Sequence, residues 1–357
     1  MKQAMLIAMS GGVDSSVAAH LAVKNGYDCT GVMLKLVQQS DYCGCSDKSC
    51  CSEDDAADAR AVAARLDMPF YVWDFIKPFE AQVIERFVSE YAEGRTPNPC
   101  IDCNRYIKFE SMLKRAVGLG FDKMATGHYG RTYFDEASGR YLLKKAIDET
   151  KDQSYVLYNL SQEMLSRLWF PLGELRKTEV REIAEEQGFI NANKCDSQDL
   201  CFVTKGCYGD FIQDYVGTSP KPGDFVDSKG EVLGRHKGIV HYTIGQRRGL
   251  GIAHPHPLYV LSKDVDKNQV ILGAQDELEV HSFEAKDLNW IAFEKLEGPL
   301  DLSAKIRYNQ KETRVRIWPL GEDRVHVECT EVQEAVAPGQ SVVFYDGDIV
   351  VGGGIIV

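Results

Sequence analysis

Residues 5–16 read Met5-Leu6-Ile7-Ala8-Met9-Ser10-Gly11-Gly12-Val13-Asp14-Ser15-Ser16. A short apolar run ending in small turn residues is the pattern of a buried strand. Val17, Leu21 and Val23, with Gly26 as a terminating residue, continue it as a helix. A strand that enters a helix through Ser-Gly-Gly-x-Asp-Ser-Ser turns successive backbone N–H groups and a helix N-terminus toward one point, which suits a phosphate or pyrophosphate. The loop lacks the lysine of G-x-x-x-x-G-K-[ST] and the spacing of G-x-G-x-x-G, so it is neither of those nucleotide fingerprints. A plain strand-to-helix turn with serine caps is the bland alternative.

Outward from this loop, apolar runs alternate with amphipathic helical patterns over the first ~130 residues, as in a parallel sheet covered by helices. Strands are expected at 5–9, 29–36, 69–72 and 123–126. Helices are expected from Ser52, with Ala56, Ala59, Val62, Ala63 and Leu66 facing inward, and over 79–91. Thr96-Pro97-Asn98-Pro99 reads as a loop, with a helix starting near Asn104. The periodicity from 153 to 188 is helical, clearest at 177–187. Beyond about 206, glycine, proline and short β-type runs dominate. The expected architecture is an α/β, Rossmann-like parallel-sheet catalytic domain at 1–205, a small central domain at 206–279 and a C-terminal β-barrel-like domain at 280–357.

A chain of 357 residues with 44% hydrophobic and 26% charged residues excludes a disordered or fibrous protein and exceeds one ordinary domain. No apolar run is long enough to cross a bilayer, and 5–9 is too short for a secretory segment, so a cytoplasmic protein is expected. Eleven cysteines, an odd number in so long a chain, argue for thiols in metal binding or chemistry rather than a disulfide scaffold. The net charge of −12 excludes a uniformly basic surface. Two stretches are nonetheless locally basic: 234–250 with Arg235, Lys237, Arg247 and Arg248, and 303–318 with Lys305, Arg307, Lys311, Arg314 and Arg316. Tyr242, Tyr308 and Trp318 lie among them, as a phosphate-tracking and base-stacking surface requires. Solvated strand faces are the alternative.

Asn98-Pro99-Cys100-Ile101-Asp102-Cys103-Asn104 sets two thiols three residues apart beside an expected helix start, where the thiolate is favoured. Alone, this reads equally as a zinc half-site or a redox pair. A third thiol, Cys201, lies in the turn-rich 196–202 stretch. Cys43, Cys45, Cys50 and Cys51 form a further group, either metal-binding or a surface loop, and Cys29, Cys195, Cys207 and Cys329 read as structural.

The first loop resembles the PP-loop of the N-type ATP pyrophosphatases. With both cysteine segments, Gly127-His128-Tyr129, Lys151-Asp152-Gln153-Ser154-Tyr155, Phe170-Pro171-Leu172-Gly173, 242–251, Ala304-Lys305-Ile306-Arg307-Tyr308 and Pro338-Gly339-Gln340, the chain resembles the bacterial tRNA-specific 2-thiouridylases essentially end to end. The resemblance implies an ATP-dependent tRNA sulfurtransferase that adenylates the C2 oxygen of the wobble uridine and replaces it with sulfur, releasing AMP and pyrophosphate. It implies ATP on Ala8, Met9, Ser10, Gly11, Gly12, Val13, Asp14, Ser15, Leu34 and Gly127, with Asp14 orienting Mg²⁺. Cys103 takes the place of the nucleophile and Cys201 that of the persulfide carrier. Contacts to tRNA or its target base fall on Asn98, Pro99, Cys100, His128, Lys151, Asp152, Gln153, Arg307, Tyr308 and Gln340. A sulfur-donor protein, such as a cysteine desulfurase or sulfur relay, is the implied partner. Many members have Asp where this chain has Cys100, so Cys100, Cys103 and Cys201 could instead ligate a [4Fe–4S] cluster. Two other readings stay open: a PP-loop ligase acting on a small molecule, and a non-catalytic RNA- or metal-binding protein.

Overall fold

The computed structural model of the chain describes residues 2–38, 53–196, 200–203 and 208–357. Its first sheet grows from β1 (Ala4–Ala8), whose Met5, Leu6 and Ile7 are completely buried because helices cover both faces. The chain runs through α1 (Val13–Lys24), β2 (Asp28–Lys35), α2 (Glu53–Arg65) and β3 (Phe70–Asp74), then crosses to β4 (Lys123–Thr126) on the other side of β1. After a hairpin of β5 (Arg131–Asp135) and β6 (Arg140–Lys144), β7 (Leu168–Trp169) completes a sheet of order β3-β2-β1-β4-β7, parallel throughout. Strand order reverses between β1 and β4, and the carboxyl end of such a switch point is where open α/β sheets take ligands. The Ser10–Ser16 loop sits at that end.

Two helical stretches carry widened π-type turns, at Glu80–Ile84 and at Cys103–Met112. The second stretch begins at Pro99, not near Asn104. Proline suits the first helical position, and the Asn98 side chain caps the turn by accepting the Cys100 N–H at 3.2 Å. Both thiols of the pair therefore lie on the helix rather than before it.

The second sheet contains β8 (Gly223–Asp227), β9 (Val232–His236), β10 (Tyr259–Asp264) and β11 (Gln269–Gly273) in the order β10-β11-β8-β9. It has its own core of Phe225, Tyr242, Val260, Val270 and Leu272. The third sheet contains β12 (Glu279–Trp290), β13 (Leu300–Lys305), β14 (Thr313–Pro319), β15 (Arg324–Glu334), β16 (Ser341–Asp346) and β17 (Ile349–Ile356). Pairing of β12 with both β15 and β17 closes these six strands into a barrel. Along β14, Thr313, Val315 and Ile317 point inward while Arg314 and Arg316 point out. This is the expected α/β unit followed by a small central unit and a β-barrel.

The barrel is not a separate body. β17 also pairs with β6, so the β5–β6 hairpin extends the barrel sheet. Tyr155, Tyr158, Val343, Tyr345 and Val350 belong to one buried cluster. The Tyr155 hydroxyl donates to the Ser341 carbonyl at 2.7 Å, and the Tyr158 hydroxyl lies 3.1 Å from Ser341 Oγ. Arg105 pairs with Asp287 at 2.9 Å. Since Tyr155 is completely buried, Tyr155→Phe is expected to cost about 1–2 kcal/mol of unfolding free energy, measurable by urea titration, because the Ser341 carbonyl loses its buried donor.

Candidate active site

At the end of β1, Gly11 has φ +75°, and a Cβ there would lie 2.3 Å from the Asp55 carbonyl oxygen. At Gly127, just after β4, a Cβ would lie 2.8 Å from the Ser15 nitrogen. The loop is thus shaped by a left-handed glycine on one side and by close backbone approach on the other. Ser15 Oγ and Ser16 Oγ both donate to the Gly12 carbonyl at 3.0 Å, and Ser15 Oγ accepts the Ser10 N–H at 3.1 Å. Asn191 braces the loop from behind, donating to the Gly11 carbonyl and to Ser16 Oγ, each at 2.9 Å. Lys194 Nζ joins Asp55 at 2.6 Å, Asp58 at 2.7 Å and the Gly11 carbonyl at 3.3 Å. Burial opposes its charge, yet the two carboxylates hold the Lys194 pKa above its ordinary value. Of the other residues expected around the nucleotide, Ala8, Met9, Val13 and Leu34 are buried or half-buried. Ser10 is exposed.

Asp14, at the start of α1, faces a cation and a phenol. Its Oδ1 accepts from Lys177 Nζ at 2.7 Å and from the Tyr129 hydroxyl at 2.8 Å. Burial, then the Asp14 charge, raises the Tyr129 pKa. Lys177 also reaches Asp196 at 2.7 Å, and Asp196 takes in addition Lys151 at 2.8 Å and Arg181 at 3.4 Å. Desolvation works against the Asp196 charge, but Lys151 and Lys177 keep its pKa below the usual carboxylate range. Lys177, Asn191 and Lys194 carried no sequence signal, because their partners around the glycine loop, Asp14, Gly11 and Asp55, lie more than 130 positions away in the chain. Their one hint was a helix pattern opening at Lys177.

Cys103 is buried and Cys201 half-buried, and both pack against the same hydrophobic cluster, while Cys100 is exposed. Phe202 anchors the Cys201 segment among Phe79, Phe87 and Phe211, with ring centroids 5.1–5.8 Å apart. Cys29 and Cys329 are buried as expected, and burial pushes both thiols up to about 11. Cys195 is exposed, contrary to its reading as a structural core thiol. Cys43, Cys45, Cys50, Cys51 and Cys207, with Ser197, Gln198 and Asp199, lie outside the described residues. Among the described residues, no three His, Cys, Asp or Glu side chains are gathered to hold a metal ion. Cys100, Cys103 and Cys201 are all described, so the arrangement does not fit the expected cluster ligands.

Some of the ten residues expected to meet RNA, or their chain neighbours, are linked by hydrogen bonds. Gln153 Oε1 accepts the Tyr129 N–H at 2.9 Å, next to His128. The Tyr308 hydroxyl donates to the Asp152 carbonyl at 3.3 Å, and its pKa is raised by burial and then by Asp152 and Cys100. Gln340 Nε2 donates to the Thr96 carbonyl at 2.6 Å, beside Asn98 and Pro99, and Arg307 donates to the Ala335 carbonyl. His128 packs against Phe109 and Phe170, its Nδ1 2.6 Å from Thr126 Oγ1, and desolvation with Lys108 lowers its pKa well below 6.5. The ring is therefore neutral at physiological pH. The expected stacking role of Tyr242 fails, since it is only 4% exposed and packs on Phe225 in the central core. Tyr308 is exposed, and Arg314 and Arg316 face outward, with Arg316 3.6 Å from Asp301.

A strand–glycine loop–helix at a sheet switch point, with cations behind it and thiols on an adjoining helix, defines a nucleotide-binding α/β class. The family model described as the tRNA methyl transferase HUP domain matches residues 3–205. The tRNA methyl transferase PRC-barrel domain matches 209–274 and the aminomethyltransferase β-barrel domain 280–356. The tRNA-specific 2-thiouridylase MnmA of Acetivibrio thermocellus is 49% identical over 99% of both chains. That of Clostridioides difficile is 48% identical over 100% of this chain and 98% of its own. The chain belongs to the tRNA-specific 2-thiouridylase family. A solved 4-thiouridine synthetase–RNA complex with bound ATP is 20% identical, with a TM-score of 0.39 over 57% of this chain and 45% of that one.

One carboxyl beside the thiols departs from ordinary behaviour. Burial raises the Asp102 pKa to about 6, against the opposing pull of Arg86, 3.7 Å away, and Arg105. A folded-state pKa above the unfolded value of 3.8 means that ionising Asp102 destabilises the fold as pH rises through that window. Asp102→Asn should lack this loss. Its stability relative to the parent is expected to improve between pH 4 and pH 7 by on the order of 2–3 kcal/mol, read from denaturant midpoints at each pH.

Proposed function

We propose that the chain is an ATP-dependent tRNA uridine 2-sulfurtransferase acting at the wobble position. The observation that supports this reading most strongly is the full-length similarity to the 2-thiouridylases, to which the structure adds a glycine loop at the carboxyl end of the sheet switch point and the packing of Cys103 and Cys201 against one hydrophobic cluster. The loop would receive ATP, its N–H groups and Lys177 meeting the phosphates. Mg²⁺ would arrive with the nucleotide, whose phosphates supply most of its ligands. Adenylation of the uridine C2 oxygen turns a poor leaving group into AMP. A persulfide on Cys201 then attacks C2 and AMP departs. The Cys103 thiolate attacks the Cys201 sulfur, leaving sulfur on C2 and a Cys103–Cys201 disulfide. Each turnover therefore consumes one sulfur from a donor protein and two electrons from a thiol reductant. Since the three thiols are not gathered as cluster ligands, no step here passes through iron.

The Asn98–Cys100 turn, His128, Lys151–Gln153, Arg307–Tyr308 and Gln340 would hold the target base and its flanks. The working division is 1–205 for chemistry, 206–279 for a central tRNA-handling unit and 280–357 for a barrel that closes over the anticodon stem.

AMP and pyrophosphate are the expected products of ATP in the presence of tRNA, and ADP in their place overturns the reading. Cys103→Ala and Cys201→Ala should each lower 2-thiouridine formation at least a thousandfold, while iron-free Cys100→Ala protein given a sulfur donor stays active. Loss of activity in step with iron content would instead favour the cluster chemistry. For the barrel, Arg307→Ala with Arg314→Ala should weaken tRNA binding and flatten its salt slope by about 0.7 to 0.9 per lost phosphate contact.

A further inference from the structure

Asn191 lies behind the glycine loop and is only 3% exposed. Its Nδ2 donates to the Gly11 carbonyl and to Ser16 Oγ, each at 2.9 Å, while its Oδ1 has no hydrogen-bond partner among the described residues. Turning the amide over would set Oδ1 against the Gly11 carbonyl, which only accepts, and the Ser16 hydroxyl already donates to the Gly12 carbonyl at 3.0 Å. The side chain thus leaves its own acceptor unpaired in order to supply two donors to the loop. An unpaired buried oxygen is costly, so the bond to Gly11 calls for a reason other than packing. Lys194 Nζ approaches the same carbonyl at 3.3 Å, itself pinned to α2 by Asp55 and Asp58.

We propose that Asn191 is a positioning residue: with Lys194 it holds the Gly11 carbonyl behind the loop and so turns the Gly12 N–H outward, as a donor to the phosphates of ATP. This rests on the nucleotide reading above and deepens it by naming what sets the direction of the loop's donors. The Gly11–Gly12 peptide is trans, and in a trans peptide the carbonyl of one residue and the N–H of the next point opposite ways. Fixing the Gly11 carbonyl against Asn191 and Lys194 therefore fixes the Gly12 N–H on the other side. Among the described residues that N–H has no acceptor. The next carbonyl, that of Gly12, is taken by the Ser15 and Ser16 hydroxyls, both at 3.0 Å. Both carbonyls that would repel a phosphate are thus occupied. A peptide between two glycines rotates more easily than any other, and half a turn would replace the donor by an oxygen. The brace from Asn191 prevents that turn before the nucleotide arrives, which is the preorganisation that a phosphate loop needs.

Two measurements on the full chain without tRNA test this. In the parent protein, the amide resonance of Gly12 in a ¹⁵N-labelled sample should move downfield when pyrophosphate with Mg²⁺ is added. Asn191→Leu, which keeps the volume and removes the two donors with the unpaired oxygen, should bind ATP and pyrophosphate roughly 10- to 100-fold more weakly, as the loss of one hydrogen bond to a charged group predicts. Adenosine, which has no phosphate, should bind it as it binds the parent. A merely structural lesion would weaken adenosine in the same proportion. Asn191→Asp keeps the shape but offers no donor when ionised, so it should show the same selective loss and guards against misfolding of the Leu variant. The proposal is overturned if the parent's Gly12 amide does not respond to pyrophosphate, if either variant keeps parental affinity for ATP and pyrophosphate, or if both lose adenosine in the same proportion. Failure of the parent protein to form 2-thiouridine while these results hold would count against the proposed function alone.

Discussion

The charge on Asp14 organises this molecule. It stands on the first turn of α1, where the helix dipole favours an anion but where half-burial penalises one. Lys177 and the Tyr129 hydroxyl both meet it, at 2.7 and 2.8 Å. Those two contacts tie three separated pieces of chain to one carboxylate: the loop after β1, the segment after β4 and the Lys177–Glu186 helix. Gly127 makes this geometry attainable, because any side chain there would strike the backbone of Asp14 and Ser15. The switch point of the sheet, the nucleotide loop and the lysine-rich wall are consequences of one another.

Local pattern was enough to reveal the parallel sheet. β4 falls at Lys123–Thr126 as read, and β1, β2 and β3 lie within a residue or two of their expected positions, because buried parallel strands are short apolar runs bounded by turn residues. The start of the Pro99 helix was missed because two prolines flanking an asparagine read as a loop. The same Asn-Pro pair is also a cap followed by a first-turn proline, and only the direction of the Asn98 side chain separates the two readings. The union of β6 with β17 was invisible, since it joins residues about 200 positions apart and neither strand signals its partner. Lys177, Asn191 and Lys194 were illegible for the same reason. Charged and amide side chains acquire meaning from what they reach, whereas the Ser10–Ser16 loop carries its meaning in its own spacing.

The thiols divide by how deeply their surroundings bury them. Cys103 is buried on a helix whose capped start and π-type turn hold it in place, so its position is that of the scaffold. Cys201 is half-buried beside one aromatic anchor. A buried thiol and a half-buried thiol thus share one hydrophobic cluster. Cys100, exposed at the second position of the helix, lies close enough to Tyr308 of the barrel for its charge to raise the Tyr308 pKa.

The two β units attach to the sheet domain in different ways, and that difference bears on how each could serve a large RNA. The barrel shares a continuous core with the first domain, through Tyr155, Tyr158, Val343 and Tyr345, and a strand pairing crosses the boundary. Displacing it would break buried hydrogen bonds to Ser341, so it is held firmly against the first domain. The central unit keeps its own core and meets the first domain through contacts that include Lys263, whose ammonium lies 5.6 Å from the centre of the Tyr91 ring and whose pKa burial lowers to about 8. The barrel contacts through Tyr308 and Gln340 fall on the segments at Asp152 and Thr96 of the first domain, whereas the central unit carries its own core.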